Sequence, residues 1–236
     1  MIRSLFRVSC DEGRETWIRN KLAALPAGAS ILDAGCGEQR FRKYCGHLRY
    51  FAQDFASYDG HGDGSGLQTP TWQYGKLDYV GDICNIDVKA NTFDAVLCTE
   101  VIEHVPNANA AVAELCRVLK PGGTLIITAP FAAIPHMTPY FYFSGFHENW
   151  FRTLLAEHGV AVVEATANGN AFRYLVQELT RVARSTPGFV GRTLLTIFIL
   201  PAVAALRYLD RSGSRRGEYL PFGYHVQGVK GDAASS

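Results

Sequence analysis

Ser30-Ile-Leu-Asp-Ala-Gly-Cys-Gly37 decides the fold. A short apolar run that ends in two glycines one residue apart reads as a buried strand feeding a tight turn. The glycines let the backbone approach a ligand closely, and a helix start after them would offer unpaired N–H donors. Working outward, the pattern predicts a leading helix over Glu12 to Leu25, stopped by Pro26 and Gly28, and a second strand over Arg49 to Asp54. Asp59-Gly-His-Gly-Asp-Gly-Ser-Gly66 is too rich in glycine for regular structure and reads as a loop. Strand patterns return over Leu77 to Gly81, Phe93 to Cys98 and Gly123 to Thr128; a helix over Ala108 to Leu119 precedes the last, with Lys120-Pro-Gly-Gly123 as its stop. Strands separated by helices imply an α/β fold with a parallel sheet and right-handed crossovers, which binds ligands beyond the carboxyl ends of its strands. Further on come a helix over Asn149 to His158, a strand over Val160 to Ala165, an amphipathic helix over Phe172 to Arg184 and a final strand over Gly223 to Val229.

The chain has 236 residues, 47% of them apolar, enough for one α/β domain with an elaboration and too few for two full domains. A single-domain reading takes a core of about 12–170 and 218–230, with a helical insertion of about 171–217. The formal net charge of +1 provides no strong field to draw a polyanion, so no nucleic acid partner is expected and a small-molecule acceptor fits better. Six cysteines without a C-x-x-C pair read as reduced thiols, and the charged opening Met1-Ile-Arg-Ser-Leu-Phe-Arg7 offers no apolar core for a secretory signal, so a cytoplasmic protein is expected.

Asp54, ending the second strand, is placed to accept hydrogen bonds from both hydroxyls of a ribose, a chemistry shared with dinucleotide sites. Asp82 and Ile83, ending the third, supply an acceptor for an exocyclic amine and an apolar contact for a purine face. A dinucleotide fingerprint needs glycine where this chain has Arg40, which weighs against an NAD-dependent oxidoreductase.

Leu32-Asp-Ala-Gly-Cys-Gly37, Asp54, Gly81-Asp-Ile83, Phe93 to Val105 and Leu119-Lys-Pro-Gly-Gly-Thr-Leu125 together resemble class I S-adenosylmethionine-dependent methyltransferases, in the bacterial small-molecule branch. The resemblance covers Ser30 to Pro130. It implies a Rossmann-like seven-stranded, mostly parallel sheet with helices on both faces and its last strand antiparallel. It also implies S-adenosyl-L-methionine as the cofactor, with Asp33, Gly35 and Gly37 at the methionine portion, Asp54 at the ribose, Asp82 and Ile83 at the adenine, and Thr99 bordering the site.

Methyl transfer from a sulfonium needs alignment and dryness more than catalytic side chains, but a hydroxyl acceptor benefits from a base. His104, after the fourth strand, is the first candidate and His147 the second; the alternative for His104 is capping or packing the following helix. The aromatic segment Pro130 to His147 follows the fifth strand, where His136, Tyr140 and Tyr142 would contact the acceptor; the alternative is a packed aromatic loop. His61 and Asp63 lack further ligands at regular spacing, so no metal is expected. The apolar stretch Leu194 to Leu206 is short for a membrane span and holds Pro201, which favours a helix packed on the domain or on a second copy over an anchor lying on a membrane. A homodimer and a peripheral contact with the inner membrane therefore both stay open, and the tail Gly231 to Ser236 reads as disordered. The activity expected is O-methylation of a sugar, lipid-linked or other small intermediate, set against a non-catalytic cofactor-binding subunit.

Overall fold

The computed structural model describes residues 10–69, 71–211 and 219–232. The chain folds as two compact units. One, Glu15–Thr166 with Gly223–Ser236, holds the sheet; the other, Met1–Arg14 with Ala167–Phe222, holds a helical hairpin.

The sheet has seven strands: β1 Ser30–Ala34, β2 Arg49–Asp54, β3 Tyr79–Val80, β4 Phe93–Thr99, β5 Leu119–Pro130, β6 Val160–Asn168 and β7 Gly223–Lys230. Their spatial order is β3-β2-β1-β4-β5-β7-β6. β1, β2, β3, β4 and β5 pair in parallel and β7 runs antiparallel to β5, as the family resemblance implied. All five residues of β1 are buried, which is why its apolar run does not alternate with polar residues: a central parallel strand is covered on both faces.

The helices are α1 Cys10–Ala23, α2 Ala108–Val118, α3 Glu148–Glu157, α4 Ala171–Ser185 and α5 Phe189–Arg211. From α1, Ile18 and Leu22 pack with Ile31, Leu97 and Ile126 of the sheet. α2 opens on Asn107, whose side chain accepts from the Ala110 amide at 3.1 Å, and α3 opens on His147.

Three expectations are corrected. No α-helix follows Gly37: turns and a single 3-10 turn, Arg42–Tyr44, lead into β2, and Gln39 stands at φ +57°, which breaks a helical run. The β2–β3 and β3–β4 connections likewise hold no helix among the described residues. β5 starts at Leu119, not Gly123; its pairing with β4 jumps from Phe93–Leu119 to Ala95–Thr124, so Lys120 to Gly123 bulge out of the ladder rather than precede it. The apolar stretch around Leu194 lies in a 23-residue helix that runs through Pro201, with only 11% of its most apolar part buried, so it is not sunk in a core. Ser212 to Glu218 and Ala233 to Ser236, parts of the expected insertion and tail, lie outside the described residues.

Candidate active site

The carboxyl ends of β1, β2 and β3 are tied into one hydrogen-bonded set. Gly35 and Cys36 donate their amides to the Gln53 carbonyl at 2.9 and 3.0 Å, and the Gln53 side chain accepts from Gly35 at 3.2 Å while donating to the Gly81 carbonyl at 2.7 Å. Gln53 thereby links the glycine turn to the residue before Asp82, a role that sequence reasoning missed. Asp54 accepts from the Gly37 amide at 2.8 Å through one oxygen and from the Ala56 amide at 3.0 Å through the other. Burial pushes its carboxyl pKa up, against the pull of those amides. Each oxygen keeps a second lone pair, so a diol can still donate to it.

The glycines are required for a reason different from the one expected. Gly35 (φ +68°) has the Val101 side chain 2.4 Å from where a Cβ would stand, and Gly37 (φ +49°) has the Trp72 ring at 2.7 Å. Side chains of the protein itself fill both approaches. Trp72 stacks edge-on with Tyr58 at 5.3 Å and Tyr74 at 6.1 Å, forming an aromatic wall beside Asp54 that no motif announced.

Asp33 lies within the sheet at 2% exposure, its carboxylate accepting from the Tyr50 hydroxyl at 2.6 Å. Burial raises its pKa to about 7, with the Tyr50 bond opposing and the nearby Asp54 adding. Asp82 is exposed and accepts from the Cys84 amide at 2.9 Å, and Ile83 beside it is buried. Thr99 is half-buried at the end of β4, paired with Thr128. Arg40 points away to an ion pair with Glu15 at 2.7 Å.

On the acceptor side, a 3-10 turn over Ile102–His104 carries Glu103 and His104. His104 Nδ1 lies 2.6 Å from the Tyr140 carbonyl, and since a carbonyl only accepts, this nitrogen carries the hydrogen and Nε2 keeps the lone pair. Burial and the neighbouring His136 lower the pKa of His104 to about 4, so the ring is neutral at neutral pH. His136 stands edge-on to it at 4.7 Å, with its own Nδ1 2.9 Å from the Ile134 carbonyl. Tyr140 meets Phe55, the residue after Asp54, at 5.0 Å, which joins the acceptor side to the ribose side. Tyr142 is exposed and held by its amide to the Glu103 carbonyl. His147 stands apart: its Nδ1 accepts from the Asn149 amide at 3.2 Å and caps α3, and its ring meets Tyr224 at 5.5 Å. That ring nitrogen is engaged in holding a helix end.

The glycine-rich loop is stitched to this region. Leu67 and Met137 bracket the contact through Leu67 N to Pro135 O at 3.0 Å and Met137 N to Leu67 O at 2.9 Å, and Asp63 accepts from the Thr138 hydroxyl at 2.6 Å. A Cβ on Gly62 would stand 1.9 Å from the Thr138 carbonyl, so the loop's glycines serve close backbone approach.

Glu103, His104 and His136 each bring one ligand atom within 4.8 Å of the others. Two imidazoles whose Nδ1 atoms face carbonyls, with a buried carboxylate, form a donor set that could hold a divalent transition metal. Sequence spacing did not reveal it because His136 comes from a different loop, 32 residues after His104.

A seven-stranded sheet of this order, with a glycine turn and acids on adjoining strand ends, defines a class I methyltransferase fold. Residues 32–127 match the methyltransferase domain family. Among curated relatives, the ubiquinone biosynthesis O-methyltransferase of Xanthomonas axonopodis pv. citri (strain 306) is 34% identical over 110 residues, 44% of each chain. The chain thus spans less than half the length of that relative. A SAM-dependent methyltransferase from Archaeoglobus fulgidus superposes with a TM-score of 0.56 at 16% identity, over 95% of this chain and 96% of that one. The [4+2]-cyclase SpnF does so with 0.56 at 17%, over 94% and 82%. At such identities the likeness speaks for the fold alone.

Proposed function

We propose that this protein transfers a methyl group from S-adenosyl-L-methionine to an oxygen of a small-molecule acceptor in the cytoplasm. The observation that carries the reading is the joining of three strand ends, through Gln53 and Asp54, into one set that brings the Asp54 and Asp82 carboxylates to the Gly35–Gly37 turn. Asp54 would hold the ribose hydroxyls and Asp82 with Ile83 the adenine. The bound sulfonium supplies an activated methyl group. His104 Nε2 would accept the proton of an acceptor hydroxyl placed beside that methyl group. The Tyr140 carbonyl fixes the tautomer that leaves this nitrogen open. The curated relative, an O-methyltransferase by name, favours oxygen as the acceptor atom.

Calorimetry with S-adenosylmethionine and S-adenosylhomocysteine tests the cofactor, and absence of binding to both overturns the proposal. Turnover assays on sugar-nucleotide, phenolic and lipid-linked acceptors test the enzyme; binding without turnover on any of them favours a non-catalytic subunit. In His104→Asn, kcat should fall roughly 10²- to 10⁴-fold while cofactor affinity stays unchanged. The Glu103–His104–His136 geometry favours a second form of the reaction, in which a divalent cation on these residues orients the acceptor and polarises its hydroxyl. Turnover lost to a chelator and restored by Mn²⁺ or Zn²⁺ selects that form, whereas turnover indifferent to chelation selects His104 acting alone.

A further inference from the structure

The α4–α5 hairpin exposes far more apolar surface than its own core uses. Leu195, Ile199, Val203 and Leu206 recur at helical spacing and pack against Val176, Leu179 and Ala183 of α4. The remainder of α5 is apolar as well, and it is bare: Phe189 is 83% exposed, Phe198 82%, and Leu194 and Ile197 more than 60%. Among the described residues, α5 is the one helix long and apolar enough to cross a membrane by length and composition.

Two further features say what covers it. The serine and threonine hydroxyls on the hairpin turn inward to the backbone: Thr193 donates to the Phe189 carbonyl at 2.8 Å, Thr196 to the Arg192 carbonyl at 2.7 Å, Thr180 to the Val176 carbonyl at 2.6 Å and Ser185 to the Val182 carbonyl at 3.0 Å. Hydroxyls satisfied in this way need neither water nor a partner's polar groups, the condition hydrocarbon imposes. The charges gather at the ends. From Ala171 to Arg211 six arginines face two acids, Glu178 and Asp210, a net +4 in a chain whose total is +1. Arg184 and Arg192 flank the connection between the helices, Arg207 and Arg211 close α5, and Thr193 to Leu206 holds no charge. A symmetric dimer through this face would set arginines against arginines. Lipid phosphates complement them, with the long side chains reaching up from the apolar boundary.

We infer that the α4–α5 hairpin docks this protein on an anionic lipid bilayer, α5 lying in the boundary between headgroups and acyl chains. The uncharged stretch of fourteen residues spans about 21 Å as helix, short of the roughly 30 Å hydrocarbon core, so α5 lies in the interface rather than across it. This inference uses nothing from the methyl-transfer reading and stands or falls separately.

Flotation of the purified full chain tests it, with vesicles of phosphatidylcholine alone and of phosphatidylcholine mixed with phosphatidylglycerol, and no cofactor present. The chain floats with the phosphatidylglycerol vesicles, less so as salt rises, and alkaline carbonate releases it. Ile197→Glu with Phe198→Glu weakens binding roughly tenfold or more, by placing charge in the apolar boundary. Both positions are exposed, so the thermal melting of that variant matches the parent. Arg184→Ala with Arg192→Ala removes the preference for phosphatidylglycerol while leaving melting unchanged. Failure to float with either vesicle overturns the inference, as does flotation that the glutamates leave intact. Sedimentation showing a dimer that the glutamates dissolve, without vesicle binding, would give the face to a second copy. Resistance to carbonate would overturn the interfacial placement in favour of a span.

Discussion

Asp33 is enclosed in the sheet with one hydroxyl partner, and its pKa stands near 7 because burial disfavours its charge. A folded-state pKa above the ordinary carboxylate value means the folded chain keeps a proton that the unfolded chain has already released. The contribution is therefore fully present below about pH 4 and is lost as pH rises toward 7, at up to roughly 1.4 kcal/mol per pH unit. Asp33→Asn should remove that slope, which denaturant titrations of both proteins at pH 5 and pH 7 would measure; parallel slopes would show the carboxyl to be ionised in the fold. Gly37 is a second residue-scale case. Alanine there would meet Trp72 at 2.7 Å and sit at φ +49°, so Gly37→Ala should cost about 1–3 kcal/mol and alter tryptophan fluorescence. The need for glycine at this turn could be read from the sequence; that Trp72, 35 residues later, imposes it could not.

Among the elements, α2 shows local and tertiary control together. Its start falls where the helical pattern predicts it, and the structure adds the Asn107 side chain, which accepts from the Ala110 amide at 3.1 Å. Asn107→Ala should cost about 1 kcal/mol in equilibrium unfolding without changing cofactor affinity. On the buried side, Glu114 accepts from the Ile86 amide at 2.7 Å and pairs with Arg117 at 2.6 Å, so the helix also fastens the chain leading to β4. β1, β2, β4 and β7, with α3 and α4, follow their periodicity closely. The crossover after Gly37 does not, since a glycine turn followed by charged residues reads as a helix start, whereas Gln39 at φ +57° breaks the helical run. The extent of α5 was also hidden: Pro201 looked like a break, yet the helix continues through it.

For the molecule as a whole, a ligand bound at three joined strand ends should stabilise the unit that contains them. S-adenosylmethionine at a hundred times its dissociation constant should contribute about 2.7 kcal/mol, a rise in melting temperature of roughly 5–10 °C, read by differential scanning fluorimetry. No shift at saturation would deny the cofactor a site in the folded sheet. The parallel α/β sheet, the glycine turn after β1 and the acids at the ends of β2 and β3 were legible in the residues, because backbone stereochemistry and burial write local, periodic signals. Long-range packing is what brings Gln53 to those ends, sets His104 against His136 and the Tyr140 carbonyl while His147 caps a helix, and leaves an apolar face of α5 open. These are matters of contact between residues far apart in the chain, and neither local preference nor periodicity carries information about them.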